Sequence, residues 1–117
     1  MSTNTFVEIS RSDVIALLTA SPPGILLLDV RNKSETDRGI IPGARCIPLP
    51  ELKTALALTP EVFRGKYSFP NPIVSAPIVV HCNSGGRAVK AYNILRDVGG
   101  HTDVRLYRGG WKEYSKL

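Results

Sequence analysis

Only two cysteines, Cys46 and Cys82, occur among the 117 residues of this chain. They lie far apart and no close cysteine pair with histidines accompanies them, which argues against a disulfide scaffold or a zinc site. Free thiols in a reducing compartment fit better. No apolar run approaches the ~20 residues needed to span a bilayer. The opening MSTNTFVEIS has neither a basic segment followed by an apolar one nor the Arg-rich amphipathic character of a transit peptide. A cytoplasmic location is therefore the expectation, with a mitochondrial one left open. The formal charge is +5, yet the sequence has no basic run, no cluster of stacking aromatics and no nucleic-acid motif. Internal repeats and low-complexity segments are also missing.

What is present is the composition of a soluble globular protein, 43% hydrophobic and 21% charged. A single domain over residues 1–117 is expected from this length. The basic excess is uneven. Residues 1–81 carry eight Lys and Arg against seven Asp and Glu, whereas residues 82–117 carry seven against three. That last stretch draws in a small anion more readily than a nucleic acid.

Ser10 and Asp13 have capping-box spacing, and Val14, Leu17 and Leu18 form an apolar stripe, which predicts a helix over 10–19. Pro22, Pro23 and Gly24 break it. Ile25 to Val30 and Ile78 to Cys82 are short apolar runs of the kind found in strands buried on both faces. After Arg87, apolar positions Ala88, Ala91, Leu95 and Val98 recur at helical spacing until Gly99 and Gly100 stop them. Between Pro48 and Pro72 the pattern reads as a short helix, then a Pro-rich connection whose Phe63, Tyr67 and Phe69 cover the core. Buried strands alternating with helices predict an α/β fold with a mainly parallel sheet and helices on both faces.

The stretch HCNSGGR, from His81 to Arg87, falls between the second buried strand and its helix. Ligands of open α/β sheets bind beyond the carboxyl ends of the strands, where Cys82 stands. The helix start offers unpaired N–H groups and the positive end of a dipole. Gly85 and Gly86 let successive amides turn inward as a nest around an anion. Cysteines in such surroundings favour the thiolate and act as nucleophiles. A lone cysteine is otherwise a small buried hydrophobe, and the two glycines, the arginine and the helix weigh against that reading. Arg87 either points into the loop or braces it from outside. His81, on an alternating strand, points away from Cys82 and is read as a packing residue first and a tuning residue second.

These residues resemble those of a single-domain rhodanese, and most closely of the small thiosulfate sulfurtransferases that pass sulfur to a low-molecular-weight thiol. The matching pieces are Asp29-Val30-Arg31 with Glu35, Gly39 to Ala44 leading to Ile47-Pro48-Leu49, Cys82 to Arg87, and Val104, Leu106, Gly109 and Gly110. LTPEVFRGKYSFPNP also resembles the connection of that small branch. Ile40 stands where a histidine is frequent, and Tyr114 where a tryptophan is common.

The resemblance implies a rhodanese-like α/β fold with a central, mainly parallel five-stranded sheet. It implies Cys82 as the catalytic nucleophile, attacking thiosulfate and holding the sulfur as a persulfide. Asn83, Ser84, Gly85, Gly86 and Arg87 would bind the anion, and Asp29, Arg31 and Glu35 would support the loop. Neither metal nor organic cofactor is implied. The donor would be thiosulfate, a persulfide or a partner's cysteine; the acceptor cyanide or a thiol such as glutathione or thioredoxin. A basic rim of Arg105, Arg108 and Lys112 suits an anionic partner.

Two other classes compete. One is a redox-sensing or partner-binding rhodanese module, in which Cys46 would be the resolving thiol unless it is a packed strand residue. The other is a phosphatase or arsenate reductase of the same fold. Those enzymes separate cysteine and arginine by five residues, and here four residues lie between Cys82 and Arg87.

Overall fold

The computed structural model describes residues 6–20 and 25–116. The first residues of the opening segment and the Pro22-Pro23-Gly24 break lie outside them. Helix α1 spans Arg11–Thr19, strand β1 Leu26–Asp29 and helix α2 Lys33–Thr36. Strand β2 (Arg45–Cys46), helix α3 (Leu49–Leu56) and helix α4 (Pro60–Tyr67) follow. Then come β3 (Ile78–His81), α5 (Gly86–Asp97), β4 (Val104–Leu106) and α6 (Gly110–Tyr114).

The strands run in the order β2-β1-β3-β4, and every neighbouring pair is parallel. Among the described residues, the expected fifth strand is reduced to one parallel bridge, Glu8 with Leu106. Its bonds are Ile9 N–H to the Leu106 carbonyl at 3.0 Å and Leu106 N–H to the Val7 carbonyl at 2.7 Å. Toward α1 this pairing ends at Ile9. Ser10 already caps α1, its side chain and that of Asp13 exchanging the reciprocal bonds of a capping box.

Successive strand residues face opposite sides of the sheet, and the two cores follow that rule. Leu28, Ile78, Val80 and Leu106 pack with Leu52 of α3, Phe63 of α4 and Leu95 of α5 on one face. Leu27 and Val79 pack with Val14 of α1, Ile41 and Tyr107 on the other, where Trp111 of α6 closes the cluster. α5 is held by Ala88, Ala91, Tyr92 and Leu95, all buried. Removing the Leu95 side chain to Ala would cost ~2–5 kcal/mol by transfer and cavity effects.

The stretch expected as a Pro-rich connection contains a second helix, α4. Pro60 does not break it because it occupies the first turn, where its missing N–H is no loss. Thr59 caps the start by accepting from Val62 N–H at 3.4 Å, and Ser68 ends it in the left-handed region at φ 64°. Phe63 and Phe69 are buried, and Tyr67 packs beside them. No described helix is long and apolar enough to cross a membrane.

β1 connects outward to β2, while the chain returns past β1 to form β3, so the strand order reverses between β1 and β3. Such a switch point opens a crevice at the carboxyl edge of a parallel sheet. Asp29 ends one of these two strands and His81 the other, with Cys82 next in the chain.

Candidate active site

Cys82 leaves β3 on the face that packs against α5, and only 2% of its surface is exposed. The loop curls around it so that Gly85 N–H donates to Sγ at 3.0 Å. This curl requires Gly85 at φ 108°, a conformation other residues adopt only under strain. A Cβ there would also meet Arg108 Cγ at 3.0 Å. Gly86 is different: it lacks a positive φ, and no atom lies within 4 Å of its Cβ position. The backbone thus demands one of the two expected glycines.

The first two carbonyls of the loop are engaged by α6. Trp111 N–H donates to the Cys82 carbonyl at 2.9 Å, and Lys112 N–H to the Asn83 carbonyl at 3.0 Å. A nest forms when successive amides point inward, and carbonyls engaged from outside favour that arrangement. The amides of Gly86 and Arg87 add the first turn of α5, which has no preceding helical carbonyls to satisfy. α6 can approach this closely because Gly110 has no side chain: a Cβ there would lie 2.3 Å from the Cys82 oxygen and 2.7 Å from that of Asn83. The sequence held a signal for this contact in the pair Gly109-Gly110, but not its target.

Arg87 braces the loop. Its Nη1 and Nη2 donate to Glu35 Oε1 and Oε2 at 2.5 and 3.0 Å, tying α5 to α2. The Arg87 hydrogen bond is the largest cause that pushes the Glu35 carboxyl down to about 2, against the cost of its burial. Arg87 is in turn held above the ordinary guanidinium value, chiefly by its hydrogen bond to Glu35; the Cys82 charge adds less. Two of its donors are therefore committed to Glu35. Its backbone amide and remaining N–H groups are what it can offer an anion.

Asp29 and Arg31 form a second, buried support. The Asp29 carboxylate accepts from Arg31 Nε at 3.0 Å and Nη2 at 2.8 Å. Arg31 Nη2 also donates to the Gly39 carbonyl at 2.8 Å, and its guanidinium lies 5.1 Å from the centre of the Trp111 ring. The pair thus backs the helix whose amides grip the loop. His81 points to the same side, away from Cys82 Sγ, as its alternation demands. Its ring Nδ1 lies 3.0 Å from the Cys82 carbonyl oxygen, a contact the sequence did not announce.

Other expectations fare differently. Of the basic rim, Arg105 pairs with Asp103 at 3.0 Å and Arg108 with Glu8 at 2.9 Å, so two of its three charges are neutralised locally. Ser84 is exposed, and Asn83 half-buried. Cys46 is half-buried at the end of β2 rather than packed in the core. It lines a pocket of about 470 Å³ with Lys33, Arg45, Glu51, Lys66 and Tyr67, and Cys82 is not in that lining. Burial pushes the Cys46 thiol up.

Comparison with known proteins adds an independent line. The family described as "Rhodanese-like domain" matches residues 10–117. A rhodanese domain-containing protein, CG4456 of Drosophila melanogaster, is 38% identical over 95 residues, covering 80% of this chain and 85% of its own. The thiosulfate:glutathione sulfurtransferase of Homo sapiens is 37% identical over 89 residues, covering 75% of this chain and 76% of its own. The structure of the human single-domain sulfurtransferase TSTD1 superposes with a TM-score of 0.87 at 32% identity, covering 96% of this chain and 97% of that one.

Proposed function

Because the chain belongs to the rhodanese-like domain family, we propose that it is a thiosulfate sulfurtransferase whose sulfur carrier is Cys82. The observation that carries this reading is the Gly85 N–H held 3.0 Å from Cys82 Sγ inside a loop whose Cys82 and Asn83 carbonyls are engaged from outside. A sulfur so placed accepts a backbone N–H within a residue that is almost fully buried.

The Cys82 thiolate attacks the outer sulfur of thiosulfate. The S–S bond of the donor breaks, its electron pair leaves with sulfite, and Cys82 holds a persulfide. The amides of Asn83 to Arg87 stabilise the anion and then the terminal persulfide sulfur. An acceptor thiolate attacks that sulfur, leaves as a persulfide itself, and returns Cys82 to the thiolate. This is two-step nucleophilic catalysis. Glutathione is the acceptor the reading favours, since it is named in the human relative and again in the thiosulfate:glutathione sulfurtransferase of Saccharomyces cerevisiae. Thioredoxin and cyanide are further acceptors to be tried.

The four-residue spacing from Cys82 to Arg87 weighs against phosphatase chemistry. A sensor that closes a disulfide needs a resolving thiol, and Cys46 lines a pocket that does not include Cys82. Intact-protein mass spectrometry after incubation with thiosulfate tests the proposal. Wild type should gain one sulfur atom, Cys82→Ser none, and glutathione should remove the gain. A folded wild type with a free thiol and no gain would sink thiosulfate as the donor.

A further inference from the structure

His81 contacts the nucleophile's own peptide in a way that fixes its protonation. The Cys82 carbonyl oxygen can only accept, and the ring nitrogen 3.0 Å from it is Nδ1. The hydrogen must therefore sit on Nδ1. His81 is fully buried, and burial holds it below the ordinary histidine value, with the nearby Asp29 charge opposing this only in part. The ring is neutral at neutral pH, so a proton on Nδ1 leaves Nε2 bare.

The surroundings of Nε2 agree. It has no hydrogen-bond partner. Its neighbour, Asp29 Oδ2, stands back at 3.7 Å and is already engaged by Arg31. Two acceptors facing each other keep such a distance. The opposite tautomer would aim Nε2–H at Asp29 but set the bare Nδ1 against the Cys82 oxygen. The other titratable groups beside the ring are Arg31 and Tyr107, whose ring centre is 6.2 Å away.

We infer that His81 is a positioning residue: its Nδ1–H and the Trp111 N–H clamp the Cys82 carbonyl from outside the loop and so set the rotation of the Cys82–Asn83 peptide. A trans peptide is planar, with its N–H anti to its carbonyl. Fixing that carbonyl aims the Asn83 amide the opposite way and sets the start of the curl that brings Gly85 N–H to Sγ. A packing role alone would need only the ring's volume; the clamp needs a donor at Nδ1.

Nitrogen-15 NMR of histidine-labelled protein at neutral pH reads the tautomer directly, with His81 told from His101 by the His81→Asn variant. The expected spectrum has a protonated Nδ1 and a bare Nε2, the reverse of the form free histidine favours in water. A protonated Nε2 would overturn the inference. A second arm compares Cys82 alkylation by iodoacetamide, and sulfur loading from thiosulfate, in wild type, His81→Asn and His81→Phe. Asparagine can donate from near the Nδ1 position, and phenylalanine keeps the ring without the donor. His81→Phe should slow both reactions about three- to tenfold, the worth of one net hydrogen bond, and His81→Asn should restore most of the rate. Equal rates in wild type and His81→Phe would overturn the clamp. Should both variants fail to fold, the wild-type spectrum decides alone. Alkylation and the tautomer do not depend on the donor, so a failure of thiosulfate to load wild type would leave this test intact.

Discussion

Arg87 and Glu35 face each other in a two-pronged pair, Nη1 to Oε1 at 2.5 Å and Nη2 to Oε2 at 3.0 Å, each side chain about one-third exposed. The pair joins the first turn of α5 to α2, elements 52 residues apart in the chain. It fixes the far end of the loop that begins at Cys82. Glu35→Gln loses the charge and one acceptor, and Arg87→Lys cannot fork. Each should lower the sulfur-loading rate about tenfold through misplacement of the amides, while stability falls by only ~1 kcal/mol because the pair is partly solvated. Single-turnover loading measured beside urea unfolding separates the two effects; unchanged loading in both variants would remove the bracing role.

The same pair predicts an acid dependence. Glu35 titrates near 4.5 when unfolded and at about 2 in the fold, chiefly because Arg87 hydrogen-bonds its charged form. Its contribution is complete above the unfolded value and is lost as pH falls from about 4.5 through about 2. After allowance for solvent screening this amounts to ~1 kcal/mol. The stability gap between wild type and Glu35→Gln should therefore be widest near neutrality, begin to narrow near pH 4.5 and close only near pH 2. Urea midpoints at several pH values check this, and a gap that persists undiminished into acid would show that the charge is not its source.

Gly110 carries the contact between α6 and the loop. It sits at φ +62°, and a Cβ would lie 2.3 Å from the Cys82 oxygen. Gly110→Ala combines left-handed strain with a clash against backbone, and is expected to cost ~2–4 kcal/mol. The Trp111 and Lys112 bonds to the loop should loosen with it, so loading falls more than stability alone explains. Gly65 supplies the contrast. It lies in α4 with no atom within 4 Å of its Cβ position. Gly65→Ala should raise stability by ~0.5–1 kcal/mol by restricting the unfolded chain. Thermal melts of the two variants in opposite directions would bear out both arguments, and a stabilised Gly110→Ala would refute the first.

Features written in local chemistry could be read from the sequence. The buried runs at Ile25 to Val30 and Ile78 to Cys82, the Ser10 cap and the glycine beside Cys82 each act within a few residues, and the structure places each accordingly. What was not legible depends on long-range partners or on position within an element. Pro60 reads as a breaker until its place after the Thr59 cap is known. Arg108 reads as a free cation until Glu8, 100 residues away, is brought beside it. The grip of α6 on the Cys82 and Asn83 carbonyls has no local signature beyond Gly109-Gly110, because backbone donors leave no mark on side-chain type. The fifth strand, implied only by the resemblance, is represented among the described residues by the Glu8–Leu106 bridge, a backbone pairing that likewise leaves no mark on side-chain type.

The two cysteines are separated by the sheet itself. Cys46 pairs across β2 with Asp29 of β1, and Asp29 pairs with His81 of β3. Neighbouring strands stand ~4.8 Å apart, so the Cys46 and His81 Cα atoms are roughly 10 Å apart, with Cys82 one residue further on. A disulfide needs Cα atoms within about 7 Å, so Cys46 cannot resolve an oxidised Cys82 without displacing β1. Burial also pushes the Cys46 thiol up, which makes it a slow attacking group. Cys46→Ser should therefore load sulfur at about the wild-type rate, and peroxide should add oxygen to wild type without removing two hydrogens. Intact mass spectrometry of both proteins before and after peroxide makes the distinction. A loss of two hydrogens present in wild type and missing in Cys46→Ser would show that the strands part far enough for the thiols to meet, and the sensor reading would return.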